Sequence, residues 1–246
     1  MLMSERSIDD LYRDPEQLPA EDFVFDRQVA RVFPDMIRRS VPGYATVVNM
    51  TGVLAGVWVQ NGSNCYDLGC SLGASALSMA AAIDVPSVRI LAIDNSAEMI
   101  ERARRIPRDD DRIAIEWCCA DIMEVGIVNA SMVVLNYTLQ FIPLHLRLEL
   151  LRRIRAGMRP GAILVLSEKV RFPDATEERL QNEMHHAFKR ANGYNELEIS
   201  RKRSALERVL LPESIAQHRE RLASAGFSRC DLWFRCFNFV SMVARV

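Results

Sequence analysis

The sequence is poor in the features that would place it quickly. Across 246 residues it has four histidines and a formal net charge of -1. No global field therefore draws it to nucleic acid or membrane, and any recognition of anions has to be local. A basic stripe with interleaved aromatics is missing, as is any recognised RNA module. No apolar run approaches the ~20 residues of a membrane-spanning helix. The opening stretch, Met1 to Pro19, is polar and acidic and lacks the apolar core of a secretory signal. The six cysteines, Cys65, Cys70, Cys118, Cys119, Cys230 and Cys236, form no C-x-x-C pair. Most sit in apolar runs, which suits reduced, buried thiols rather than a disulfide frame, and no His or Cys spacing suits a metal. The expectation is a soluble, cytoplasmic protein with no membrane or direct nucleic-acid partner.

What is present is ordinary globular material, 49% hydrophobic and 26% charged, in a length that allows one large domain. Residues 1–22 read as a loose leader and 23–60 as a helical cap. Within the cap, Phe25, Val29, Val32, Phe33, Met36 and Ile37 recur at helical spacing, interrupted by Pro34. Phe23, Phe25 and Phe33 read as the apolar face of this front helix. After a turn at Ser40–Tyr44, a second helical run covers Val47 to Val57.

From residue 61 strand and helix alternate. Strands are read at "NCYDLGC", "VRILAIDNS", "RIAIEWCCAD", "ASMVVLNYT" and "AILVLSEKV", with helices between them. A helical insert spans about 174–208, the helix "PESIAQHRERLASAGF" follows, and two strands joined too tightly for a crossover close the chain. This is an α/β pattern: a doubly wound, mostly parallel sheet of seven strands with an antiparallel strand at the C-terminus.

The most informative turn is "YDLGCSLGAS", Tyr66 to Ser75. Asp67 stands at the end of a strand, and Gly69 and Gly73 let the backbone turn tightly and approach a ligand. Asp94 ends the second strand, placed to accept hydrogen bonds from a ribose, and Asp121 ends the third, where an adenine amino group is expected. A dinucleotide loop has the form G-x-G-x-x-G and faces pyrophosphate. Here an acid precedes the loop, which repels pyrophosphate but suits a ligand with an amino group. The favoured ligand is S-adenosyl-L-methionine, and the segments "DLGCSLG", "IDNS", "CADI" and "RPGAILVLSE" resemble the class I S-adenosylmethionine-dependent methyltransferase fold.

The turn after the fourth strand, "NYTLQF", is not the N-P-P-Y type of amino-group methylases, and no cysteine-nucleophile motif is present; Cys118 and Cys119 read as core. The segments "VFPDMIRRSVPGY", "CYDLGCSLGA", "NASMVVLNYTLQF", "HHAFKRANGYNELEISRKRS" and "LWFRCFNF" resemble the carboxy-S-adenosyl-L-methionine synthase family from about Phe23 to the C-terminus. That resemblance implies an enzyme using S-adenosylmethionine and prephenate to make carboxy-S-adenosyl-L-methionine, with release of phenylpyruvate and water. It implies a functional link to a tRNA carboxymethyltransferase acting at the wobble uridine. It also implies ligand-binding positions at Tyr44, Gly69, Cys70, Ser71, Asp94, Asn95, Asp121, Ile122, Asn136 and Arg203. A homodimer is implied too, in which Arg203 reaches into the neighbouring subunit's site as the residue acting on the reaction.

The insert is where local positive charge collects: Lys189, Arg190, Arg201, Lys202 and Arg203. A dicarboxylate co-substrate needs such cations, and the arginine fork suits a carboxylate. Three of these five read as a solvated helix face, and Arg203 as the one engaged. His185 and His186 are adjacent on a helix and face different ways, one of them structural, while His145 and His218 read as surface residues. A conventional methyltransferase and a non-catalytic cofactor-binding module are the competing readings.

Overall fold

The computed structural model describes residues 8–13, 24–108 and 111–246. Phe23 and most of the expected leader lie outside the described residues. Two helices come first, α1 (Arg27–Ser40) and α2 (Tyr44–Trp58). The repeating part runs β1 (Asn64–Leu68), α3 (Ala74–Ala82), β2 (Arg89–Asp94), α4 (Ala97–Arg104), β3 (Ala114–Cys119), β4 (Ala130–Asn136), α5 (Arg147–Gly157) and β5 (Met158–Lys169). The insert forms α6 (Ala175–Ala191) and α7 (Glu196–Leu206), and α8 (Ile215–Ser224), β6 (Arg229–Cys236) and β7 (Phe239–Arg245) complete the chain.

The sheet order is β3-β2-β1-β4-β5-β7-β6. The first five strands pair in parallel, and β7 runs antiparallel to both β5 and β6. Chain order reverses across the β1–β4 pair, and in an open α/β sheet the crevice at such a reversal is where ligands bind. β1 and β4 are closed to solvent over nearly their whole length and β5 from Ala162 to Glu168, as expected when helices cover both faces. Met132, Val134, Ile163 and Val165 point to the side packed by α2 and α3, and Val133, Leu135, Leu164 and Leu166 to the side packed by α5 and α8. The first contact is close: a Cβ on Gly52 would meet the Ser78 side chain at 2.5 Å and its carbonyl at 2.7 Å.

Several details depart from the sequence reading. Helix α1 runs through Pro34, which has no N–H to donate to the preceding turn, while Asp26 caps one end by accepting from Val29 N–H and Val41 N–H closes the other on the Ile37 carbonyl. Residues 8–13 are not loose: Asp9 is 2% exposed. His218 is buried at 1% exposure, not at the surface, and its ring nitrogens have no hydrogen-bond partner among the described residues. It lies beside a closed ion cluster in which Glu213 binds both Arg147 and Arg221. Burial lowers its pKa to about 4, so the ring is neutral at pH 7. Cys119 is exposed and Cys118 half-buried, because β3 is an edge strand whose two faces are incompletely covered.

Candidate active site

One cavity of about 390 Å³ opens over the carboxyl ends of the strands, roofed by α1 and by the insert helices α6 and α7. Every sequence-predicted site residue except Arg203 lines it: Tyr44, Gly69, Cys70, Ser71, Asp94, Asn95, Asp121, Ile122 and Asn136. Asp67 is also in the wall. The size falls within the range of small-molecule sites.

The turn after β1 is built for close approach. Gly69 has φ +78°, and a Cβ there would strike the Thr138 side chain at 2.4 Å. Ser71 adopts φ +49°, a left-handed conformation a non-glycine residue seldom takes. It is held there because its N–H donates to Asp94 Oδ2 at 2.8 Å. The N–H of Ser96 donates to Asp94 Oδ1 at 2.9 Å, so both carboxylate oxygens are fixed by backbone and each keeps a lone pair for a ligand hydroxyl. Burial raises the Asp94 pKa while these two N–H groups oppose it.

Asp67 sits deeper, at 2% exposure, accepting from the N–H of Ala76 at 3.0 Å. Burial pushes its carboxyl up to about 7, against the Ala76 bond and with help from the Asp94 charge. A cationic ligand group placed beside it would favour the ionised carboxylate. Asp121 stands just past β3 at the rim, exposed, with Oδ1 accepting from Met123 N–H at 2.8 Å. Asn136 spends its side chain on bracing: it donates to Ser75 at 2.9 Å and Thr51 at 3.2 Å and accepts from Ser167 at 2.6 Å. It thereby ties β4 to α2, α3 and β5 at the point where chain order reverses. The next residue, Tyr137, takes φ +62°, and its buried hydroxyl has no hydrogen-bond partner among the described residues. Its ring lies 6.2 Å from that of Tyr44, and burial raises both phenols, so both stay protonated.

The opposite end of the cavity is cationic. Lys169 at the end of β5, Lys189 on α6 and Lys202 on α7 all line it. Lys202, 3% exposed, is fully engaged: it donates to Ser40 at 2.9 Å and to Asp9 and Tyr194 at 3.2 Å each. Tyr194 in turn donates to Asp9, and Arg39 stacks on its ring at 3.8 Å while donating to the Asp9 carbonyl at 3.0 Å. This network fastens residues 8–13, α1 and α7 together over the cavity. His185 is 3% exposed, and its Nε2–H donates to the Ser40 carbonyl at 2.8 Å. Burial, followed by Lys189 and Lys169, lowers its pKa to about 2, so it is neutral and its Nδ1 carries no proton.

Of the five insert cations, then, Lys189 and Lys202 face the cavity, whereas Arg190 and Arg203 are exposed and Arg201 is half-buried. Arg203 does not reach the cavity of its own chain. Phe25 and Phe33 do line it, besides packing in the front-helix cluster. Lys169 escaped the sequence reading because a lysine after an apolar strand carries no local signal. Among the described residues no His, Cys, Asp and Glu group could hold a metal, and no helix is long and apolar enough to cross a membrane.

With this geometry established, likeness to known proteins is specific. Residues 66–161 match the family model "Methyltransferase domain". A protein of Citrifermentans bemidjiense named carboxy-S-adenosyl-L-methionine synthase is 55% identical over 97% of this chain and 98% of its own length. The chain belongs to the carboxy-S-adenosyl-L-methionine synthase family. A protein of the same name from Marinobacter nauticus is 54% identical, over 91% of this chain and 90% of that one. Among solved structures, a putative O-methyltransferase of Nostoc punctiforme superposes with TM-score 0.60 at 17% identity, covering 89% of this chain and 59% of that one. A Methanococcus maripaludis putative methyltransferase gives TM-score 0.57 at 18% identity, covering 93% and 97%. At those identities the structural likeness speaks for the fold alone, which is that of a class I methyltransferase.

Proposed function

We propose that this chain converts S-adenosyl-L-methionine and prephenate into carboxy-S-adenosyl-L-methionine, phenylpyruvate and water. The observation that carries the reading is the division of one cavity into an end walled by Asp67, Asp94 and Asp121 and an end walled by Lys169, Lys189 and Lys202. An ordinary methyl transfer from a cationic donor needs only the first. A reaction that brings a dicarboxylate to a sulfonium needs both.

The chemistry balances without a protein base. Prephenate loses carbon dioxide and hydroxide and becomes aromatic; the hydroxide takes a proton from the sulfonium methyl, and that carbon bonds the carbon dioxide. The protein's part is proximity, charge placement and exclusion of water. Asp94 fits the ribose hydroxyls, Asp67 the amino group, and the ring of Tyr44 the sulfonium side of the donor. Neutral, hydrogen-bonded His185 and the protonated Tyr44 and Tyr137 bring no competing anion to the reacting atoms.

The ligand roles of Tyr44, Gly69, Cys70, Ser71, Asp94, Asn95, Asp121, Ile122 and Asn136 form part of this proposal. So does a homodimer in which Arg203, exposed on its own subunit, serves the site of the other. The product would supply a carboxymethyl donor to a tRNA-modifying enzyme, in the cytoplasm. The test is mass spectrometry of the protein-bound ligand after incubation with S-adenosylmethionine, with and without prephenate. A species heavier than the donor by one carbon dioxide, formed only with prephenate, is expected. S-adenosylhomocysteine formed regardless of prephenate would return the chain to conventional methyl transfer.

A further inference from the structure

The three lysines at the cationic end are not equivalent. Lys202 has three donors and spends all of them on Asp9, Ser40 and Tyr194. The ammonium of Lys189, in a residue 8% exposed, makes no hydrogen bond or ion pair with any described residue, and the charges it feels are those of Lys169, Lys202 and Arg203, all of its own sign. Lys169 senses one carboxylate, Glu178. That carboxylate is occupied elsewhere, accepting from Phe172 N–H at 2.7 Å and from Asn182 at 2.9 Å. Two ammonium groups from different elements thus share a cavity wall, and among the described residues only the Glu178 charge, already held by Phe172 and Asn182, offsets one of them. Burying like charges this way is costly unless a ligand completes the arrangement.

Resting on the function proposed above, we propose that Lys169 and Lys189 form the subsite for the pyruvyl carboxylate of prephenate, the carboxylate that survives the reaction. The other carboxylate leaves as carbon dioxide and must shed its charge in the transition state. Ion pairs on that group would stabilise the ground state and slow the step, whereas pairs on the spectator carboxylate hold substrate and transition state alike. The lysine pair therefore anchors the spectator end, and the reacting end is directed toward the acid-lined half where the sulfonium belongs.

Two consequences separate this from a structural role. Phenylpyruvate keeps the pyruvyl carboxylate, so it should compete with prephenate through the same lysines. Anion binding should also be accompanied by proton uptake. In the empty site burial and the neighbouring cations lower Lys189 to about 7, and an arriving carboxylate raises it again. The groups facing Lys189 are Lys169 of β5, Lys202 and Arg203 of α7, and His185 and His186 of its own helix; the buried Asp9 lies behind Lys202. None is a carboxylate free to reverse the sign.

The experiment uses the full chain with Lys169→Met and Lys189→Met, and Arg190→Ala as an exposed control. Prephenate KM and the phenylpyruvate inhibition constant should each rise about ten- to a hundred-fold in either lysine variant, with the KM for S-adenosylmethionine within about twofold of the parent, which also reports correct folding. Calorimetry of prephenate binding at pH 8 in buffers of different ionisation enthalpy should show proton uptake that Lys189→Met abolishes. Product formation with unchanged prephenate KM in both variants would overturn the subsite and leave the activity standing. A raised prephenate KM with unaltered phenylpyruvate inhibition would overturn the choice of carboxylate. Lysine-dependent binding and proton uptake in a protein that forms no carboxylated product would uphold the anion site and sink the proposed activity.

Discussion

The two ends of the cavity solve opposite electrostatic problems by different means. At the acid end, short turns after parallel strands hold carboxylates with backbone N–H groups: Ala76 for Asp67, Ser96 for Asp94 and Met123 for Asp121 from nearby in the chain, and Ser71 of the neighbouring turn for Asp94. At the lysine end, the charges come from three separate elements and are held by packing and by contacts far apart in sequence, such as Lys202 with Asp9. The first arrangement is local and the second is assembled. A local site survives the loss of distant contacts, whereas an assembled one depends on the roof that α1, α6 and α7 make together.

The largest expected effect breaks the assembled end. Lys202→Met leaves Asp9 buried without its cation, and loss of one partner from a buried pair costs on the order of 4 kcal/mol. Thermal unfolding should show the drop, and at temperatures where the variant stays folded prephenate KM should rise more than donor KM. A smaller effect attacks the local end. Asp94→Ala removes a charged acceptor for the ribose together with the clamp on Ser71, an expected loss of about 3 kcal/mol, near a hundred-fold, in donor binding. Titration calorimetry with S-adenosylmethionine would measure it, and an unchanged affinity would remove Asp94 from the site.

The smallest effect sharpens the contrast without a mutation. Asp67, raised to about 7, must be ionised to hold an ammonium, so donor affinity should fall below pH 7, toward tenfold per unit. Lys189, lowered to about 7, must be protonated to hold a carboxylate, so prephenate affinity should rise over the same interval. Opposed slopes in the two KM profiles between pH 8 and 6 are the signature. Parallel slopes would show that one of the two groups does not touch its ligand.

The local end was legible in the sequence for the same reason that it is local. Asp67, Gly69, Ser71, Asp94 and Asp121 sit where strands give way to turns, and alternating strands and helices place such turns on one edge of a sheet. The insert was legible as a helical, basic segment, but not which of its cations turn inward. Lys189 and Lys202 face the cavity while Arg203 does not, a choice set by how α6 and α7 dock on α1. His218 was misread for a related reason: an amphipathic helix fixes which residues share a face, not what covers it, and here the Glu213 cluster does.

By itself, then, the sequence determined the strand–helix alternation, the strand-end acids and the glycine turn, because each depends on neighbours within a few residues and on the periodicity of the backbone. Only the tertiary structure decided that Asp9 is buried under α7 and that Lys169, from a strand, meets Lys189, from a helix, across one cavity. Those contacts join residues far apart in the chain and are set by how β5, α1, α6 and α7 pack against one another, which no local pattern encodes.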